Sequence, residues 1–268
     1  MKTERIGPAP HIAVDHAGEG DLVVFLHGIG GNKRNWHDNL PAFAERYHAV
    51  AWDARGYGES DDYDGPLDFD DFARDLARVL DHFGAETAHV VGLSMGGRIA
   101  ASFNQHFPER VKSLVLCDTH LGFAAFTPER RAEFVRLRKE PLVNGKEPKD
   151  IAPVVAETLI GNPAHREAFD KLVDSMNRLH KESYIKTIEA SVSMDHKELY
   201  ADVKAPTLVV VGDLDRLTTP EMARRIVDKV PGARLEIIED AGHLSNIEQP
   251  EAFDRVVLDF LAEVDARD

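Results

Sequence analysis

The 268-residue sequence predicts an α/β fold: a mostly parallel sheet with helices on both faces and a helical cap inserted between two of its strands. Three observations carry this. Apolar runs of strand length alternate with segments of helical period along most of the chain. The alternation stops between Asp118 and Lys204, and the tightest glycine-containing turns follow the apolar runs directly.

Strands are predicted at 22–26, 48–52, 89–92, 113–117, 207–211 and 234–238, with 11–14 as an added antiparallel edge strand. Helices are expected near 33–46, 69–83, 96–106, 220–230 and 250–263. In the second of these, Phe72, Leu76, Val79, Leu80 and Phe83 recur at helical spacing, which marks a stripe facing the core. Between the two halves lie helical segments at 128–138, 149–159, 163–180 and 182–194, with no strand candidate among them. Pro128, Pro148 and Pro163 stand at or near first helical turns, where a missing N–H costs nothing. The chain therefore reads as a core domain of residues 1–118 and 205–268 with a cap of residues 119–204 over one end of the sheet. No internal repeat, low-complexity tract or long linker interrupts it.

Composition limits the function classes. A formal charge of −15 disfavours nucleic acid and anionic membrane surfaces, both of which are bound through positive fields. The start of the chain lacks the apolar run of a secretory signal, and no apolar stretch approaches membrane-spanning length, so a cytoplasmic location is expected. Cys117, the one cysteine, excludes an internal disulfide and reads as a core residue. Oligomeric state is not legible.

Residues 92–97 read Gly-Leu-Ser-Met-Gly-Gly, a G-x-S-x-G core between a strand candidate and a helix candidate. A chain turning from strand to helix in so few residues crowds its own backbone, and Gly92 and Gly96 relieve this while Ser94 is pushed beyond the sheet edge. Ser94 is the candidate nucleophile. A serine hydroxyl needs a base, and of thirteen histidines His243 stands out. It follows the 234–238 strand and so lies on the same edge as Ser94, where ligands of open α/β sheets bind. His82, His106, His165 and His180 fall on predicted helix surfaces or ends.

The carboxylate that orients the histidine has three candidates. Asp213 and Asp215 follow the 207–211 strand, Asp213 being placed to satisfy the turn backbone, and Asp118 ends the 113–117 strand on the same edge. An oxyanion hole would use two backbone N–H groups, one from Met95 and one from Ile29 in the loop His27-Gly28-Ile29-Gly30-Gly31. That loop has neither the phosphate-loop pattern nor the dinucleotide-binding pattern.

Together these motifs resemble the α/β-hydrolase fold family. The resemblance rests on His27-Gly28, the stretch Asp53 to Ser60, Gly92 to Gly97, Gly212-Asp213-Leu214-Asp215 and Ala241-Gly242-His243, in the expected order over nearly the whole chain. It implies a serine hydrolase with Ser94, Asp215 and His243 as triad, and a scaffold role for Asp53 and Arg55. Within the family, the residues around Ser94 together with 108–111 and 114–119 look most like 3-oxoadipate enol-lactonases and small carboxylesterases. The implied reaction is acyl transfer from a small ester or lactone to water, without metal or organic cofactor. His11 and His16 lack metal-ligand spacing, and the acidic run at 61–65 lacks the later glutamate of a calcium loop.

Substrate choice should lie with the cap and with Gly28. Leu121, Phe123, Ala124, Ala125 and Phe126 either line an acyl pocket or pack the cap on the core. A carboxylate-bearing lactone would need a cation, for which Arg131, Arg136, Arg138 and Lys139 are available, although such residues usually occupy solvated helix faces. Ser94 argues against the dehalogenases and epoxide hydrolases of this fold, which use aspartate. Hydrolases of C–C bonds in vinylogous diketones, a perhydrolase side activity and ligand receptors with a slow triad remain as alternatives.

Overall fold

The computed structural model describes residues 1–123, 126–193, 200 and 202–267. Among the described residues, eight strands form one sheet: β1 (Lys2–Ile6), β2 (Ile12–Ala17), β3 (Leu22–Leu26), β4 (His48–Trp52), β5 (Ala88–Leu93), β6 (Val111–Cys117), β7 (Thr207–Gly212) and β8 (Arg234–Ile238), in the spatial order β1-β2-β4-β3-β5-β6-β7-β8. From β4 to β8 every pair is parallel, and β1 and β2 extend the sheet antiparallel. Strands β3, β5 and β7 are buried along their whole length, because helices cover both faces.

Helices α1 (Leu40–Ala44), α2 (Asp70–His82), α3 (Met95–His106), α9 (Pro220–Val227), α10 (Ser245–Glu248) and α11 (Pro250–Asp265) belong to the core halves. Among the described residues, five helices lie between β6 and β7: α4 (Pro128–Arg138), α5 (Glu140–Val143), α6 (Pro148–Leu159), α7 (Arg166–Asn177) and α8 (Lys181–Ser193).

Three expectations need correction. The 11–14 segment is not the sheet edge: β2 is sandwiched between β4 and β1, a polar edge strand whose Lys2, Thr3, Glu4 and Arg5 hide its strand character. The helix expected at 33–46 is broken into a 3₁₀ turn at Lys33–Trp36 and the short α1. Asn32 and Asn35 cap that turn reciprocally, and Asn39 is buried in bonds to Asp254 and the Asn246 carbonyl, so local side-chain bonding overrides the helical period. Pro163 lies ahead of α7, which begins only at Arg166. Ala124, Ala125 and Met194 lie outside the described residues.

The order of strands sets the position of the site. After β3 the chain moves to one side to form β4, then crosses to the other side for β5, so β3 and β5 flank the point where strand order reverses. The crevice beyond such a point is where open α/β sheets bind ligands. Pairing of Leu26 with Gly92 and of Leu93 with Cys117 brings the loop after β3, Ser94 and Asp118 to one edge.

Candidate active site

Ser94 occupies a backbone conformation that side chains rarely adopt, φ 55° and ψ −110°, between β5 and α3. Its N–H donates to the Cys117 carbonyl at 2.8 Å, and its own carbonyl accepts from Thr119 Oγ1 at 2.6 Å and Gly97 N at 3.1 Å. These bonds hold the strained turn. A Cβ on Gly96 would collide with the Leu26 carbonyl oxygen, and one on Gly92 with the Gly96 carbonyl, so both glycines are required by close backbone approach.

The relay expected around Ser94 is assembled. His243 Nε2 lies 3.0 Å from Ser94 Oγ, and His243 Nδ1 lies 2.9 Å from Asp215 Oδ2. Asp215 is held from behind: Leu217 N and Thr218 N donate to Oδ1 at 2.7 and 2.9 Å, and Thr218 Oγ1 donates to Oδ2 at 2.5 Å. Burial disfavours the Asp215 carboxylate, but the His243 charge and these bonds outweigh it and hold its pKa below the ordinary value. Burial likewise opposes the imidazolium of His243, yet the Asp215 charge and hydrogen bond win and raise its pKa above 6.5. Asp213 instead accepts from Ala241 N, bracing the two loops.

Asp118 is not bonded to His243. Its Oδ1 accepts from Gly212 N at 2.9 Å and its Oδ2 from Ser245 Oγ at 2.6 Å. Complete burial, reinforced by the Asp215 charge, pushes its pKa up to about 7.

The loop after β3 closes a β-turn in which Gly31 N donates to Gly28 O at 3.0 Å and Gly30 takes a positive φ of 89°. Ile29 is at the first central position, whose N–H such a turn leaves unused. His27 anchors the loop by accepting from Ala54 N through Nε2 and bonding the Gly28 carbonyl through Nδ1, and burial lowers its pKa to about 4, so it is neutral.

Two partly open pockets meet at Ser94. One is walled by Gly28, Trp36, Leu93, Leu159, Leu172 and Leu244. The other has Ile29 and Met95 beside Ser94, and Phe123, Phe126, Phe134 and Arg98 around them. Phe123 and Phe126 stack on each other with centroids 5.2 Å apart, so they both pack and line.

Several contributors escaped the sequence reading. Glu248, on α10, accepts from Gly242 N through Oε1 and Gly161 N through Oε2, both at 2.9 Å, while His243 N donates to the Leu159 carbonyl. The helical insert is thereby clasped to the histidine loop. Neither Glu248 nor Ser245 carries a motif. Thr218 could have been found, since an Asp with Thr three residues on is a common turn pattern. The Asp53 to Ser60 stretch is scaffold: Asp53 accepts from Lys33 N and Glu59 N, and Arg55 pairs with Asp71 and Asp75. Among the described residues, Asp21, His89 and Asp265 come close enough to chelate a cation, but the Lys112 ammonium lies 2.6 and 2.7 Å from the two carboxylates.

Residues 21–250 match the family model of the alpha/beta hydrolase fold. The chain belongs to that family. It is a hydrolase of the α/β-hydrolase fold, with an eight-stranded sheet like those of its structural neighbours. Among curated relatives, a 2-hydroxy-6-oxononadienedioate/2-hydroxy-6-oxononatrienedioate hydrolase of Escherichia coli is 32% identical over 276 residues, covering 98% of this chain and 94% of its own. Its counterpart in Burkholderia vietnamiensis is 32% identical over 90% of this chain and 87% of its own. Among solved structures, a malate-bound esterase of Thermogutta terrifontis is 26% identical with a TM-score of 0.88, covering 98% of this chain and 99% of its own. The enol-lactonase of Burkholderia xenovorans is 25% identical with a TM-score of 0.83, covering 94% and 96%. Among the described residues, no helix is long and apolar enough to cross a membrane.

Proposed function

We propose that this hydrolase cleaves a carboxylic ester or lactone of a small molecule through an acyl-enzyme on Ser94. The observation that carries the reading is the unbroken hydrogen-bonded chain from Ser94 Oγ through His243 to Asp215. Ser94 Oγ attacks the carbonyl carbon while His243 Nε2 accepts its proton, and Asp215 holds the imidazolium. Ile29 N–H and Met95 N–H receive the oxyanion, each contributing on the order of 3 kcal/mol in a water-excluded site. The imidazolium then protonates the leaving alkoxide as the C–O bond breaks. Water, deprotonated by the same histidine, adds to the acyl carbon and releases the acid, returning the proton to Ser94. Every step uses groups of this chain.

The two pockets beside Ser94 divide the substrate between acyl and leaving groups. The esterase and enol-lactonase likenesses support the ester or lactone reading. A second reading, hydrolysis of a C–C bond in a vinylogous diketone, is favoured by the relatives at 32% identity, whose named substrates are oxo-dienedioates. A panel of neutral esters, enol-lactones and such diketones, compared by kcat/KM, decides between them. Ester or lactone turnover well above diketone turnover is expected, and the reverse ranking overturns the first reading.

A further inference from the structure

We propose that Arg138 anchors a carboxylate of the substrate, so that the compound cleaved at Ser94 is an anion whose charge is remote from the reacting carbonyl. The inference rests on the hydrolase reading above and names the substrate class for it.

Helix α4 and the residue after it carry five basic side chains, four of which differ from Arg138 in exposure. Arg136 forms a bidentate pair with Glu133, Lys139 pairs with Glu189, and Arg130 donates to the carbonyls of Arg216 and Leu217. All three are at least partly exposed, as is Arg131. Arg138 is 3% exposed, contrary to the solvated position expected of it. Its guanidinium stacks 4.2 Å from the centroid of Phe134, and among the described residues it has no hydrogen bond or ion pair. The guanidinium is thus nearly buried yet meets no protein acceptor among the described residues, an arrangement that a ligand carboxylate would complete.

The position fits such a ligand. Arg138 lines an open groove together with Phe126, Phe134 and Leu217. The last three also wall the cavity that holds Ser94, so the groove and the cavity share a partition. The charge of Arg138 reaches His243, where it works against the imidazolium. It also reaches the buried hydroxyl of Tyr184, which has no hydrogen-bond partner among the described residues. Of the carboxylates on the groove, Glu133 is committed to Arg136, and Glu157 is exposed. Against a net charge of −15, an anionic substrate needs a local cation, and a planar guanidinium matches a carboxylate through two parallel hydrogen bonds.

The test measures binding by calorimetry in a Ser94→Ala background, which separates recognition from turnover. Monomethyl esters of straight-chain dicarboxylic acids, from succinate to suberate, are compared with their neutral dimethyl esters. At the best chain length the anion should bind at least about tenfold tighter than its neutral counterpart. Adding Arg138→Gln should remove that preference, and Arg138→Lys should restore part of it. Equal or undetectable binding of both members of every pair overturns the proposal without any further variant, as does a preference that survives Arg138→Gln. Failure of the ester reading would be seen separately, as a protein with Ser94 intact that prefers the monoester in binding yet hydrolyses neither.

Discussion

Asp118 and Asp215 are both buried at the carboxyl edge of the sheet, close enough that Asp118 senses the Asp215 charge, yet only Asp215 reaches His243, at 2.9 Å. The division follows from their surroundings. Asp215 gains the His243 charge and three donors from its own turn and is held ionised, whereas burial and the Asp215 charge raise the Asp118 pKa against the opposing bonds from Gly212 N and Ser245. Two carboxylates in one low-dielectric pocket are driven to well-separated pKa values, because both cannot ionise cheaply.

Asp215→Asn should lower kcat for ester hydrolysis by about 10³- to 10⁴-fold, since the amide cannot stabilise the imidazolium and favours the wrong tautomer. Steady-state kinetics on a p-nitrophenyl ester reads this. A loss below about tenfold would move the acid's role elsewhere, with Asp118 the next candidate.

The pH profile of kcat/KM should carry an acid limb from His243. The base must be neutral, and its pKa is held above 6.5, so activity is lost as pH falls through a midpoint above that value. The negative charge of Asp118 contributes to this elevation. Asp118→Asn should therefore move the midpoint to lower pH. An unmoved or raised midpoint contradicts the coupling.

Stability should respond to the same residue with a defined sign. The folded-state pKa of Asp118, about 7, lies above its value of 3.8 in an unfolded chain, so folding favours the protonated form. Its contribution is most favourable below pH 4 and is lost as pH rises toward 7. The stability of Asp118→Asn relative to the natural protein should therefore increase between pH 5 and pH 8 in urea titrations, and a difference constant with pH would refute the assignment.

Glu248→Ala removes the acceptor for Gly242 N and Gly161 N at once. Each unsatisfied buried N–H costs about 1–3 kcal/mol, and the histidine loop loses its tie to the insert. Lower denaturation midpoints together with reduced kcat are expected. Unchanged stability would mean that water replaces the carboxylate without cost.

Gly96→Ala should destabilise the fold by about 1–3 kcal/mol or more, because its Cβ meets the backbone of β3 rather than a side chain that can rotate away. Thermal unfolding measures this directly.

The parts legible in the sequence are those where backbone geometry admits few residue types. Gly92 and Gly96 around Ser94, and the short loops carrying Asp215 and His243 after apolar strands, are written into local pattern. What the pattern missed depends on tertiary partners. Lys2–Ile6 looks polar because an edge strand keeps one side in water. The break after Trp36 arises from Asn39 reaching Asp254, 215 residues away. Helical period placed Arg138 on a helix but could not show that this face turns inward, nor could any spacing rule pair Glu248 with Gly161.

The central claim, that Ser94 is activated by His243 for attack on carbonyl carbon, is tested most directly by treating the folded protein with a fluorophosphonate and locating the adduct by peptide mass spectrometry. The account predicts one adduct, on Ser94, absent in Ser94→Ala and slowed as pH falls below the His243 midpoint. A folded protein that takes no label, or takes it on another residue, would contradict it.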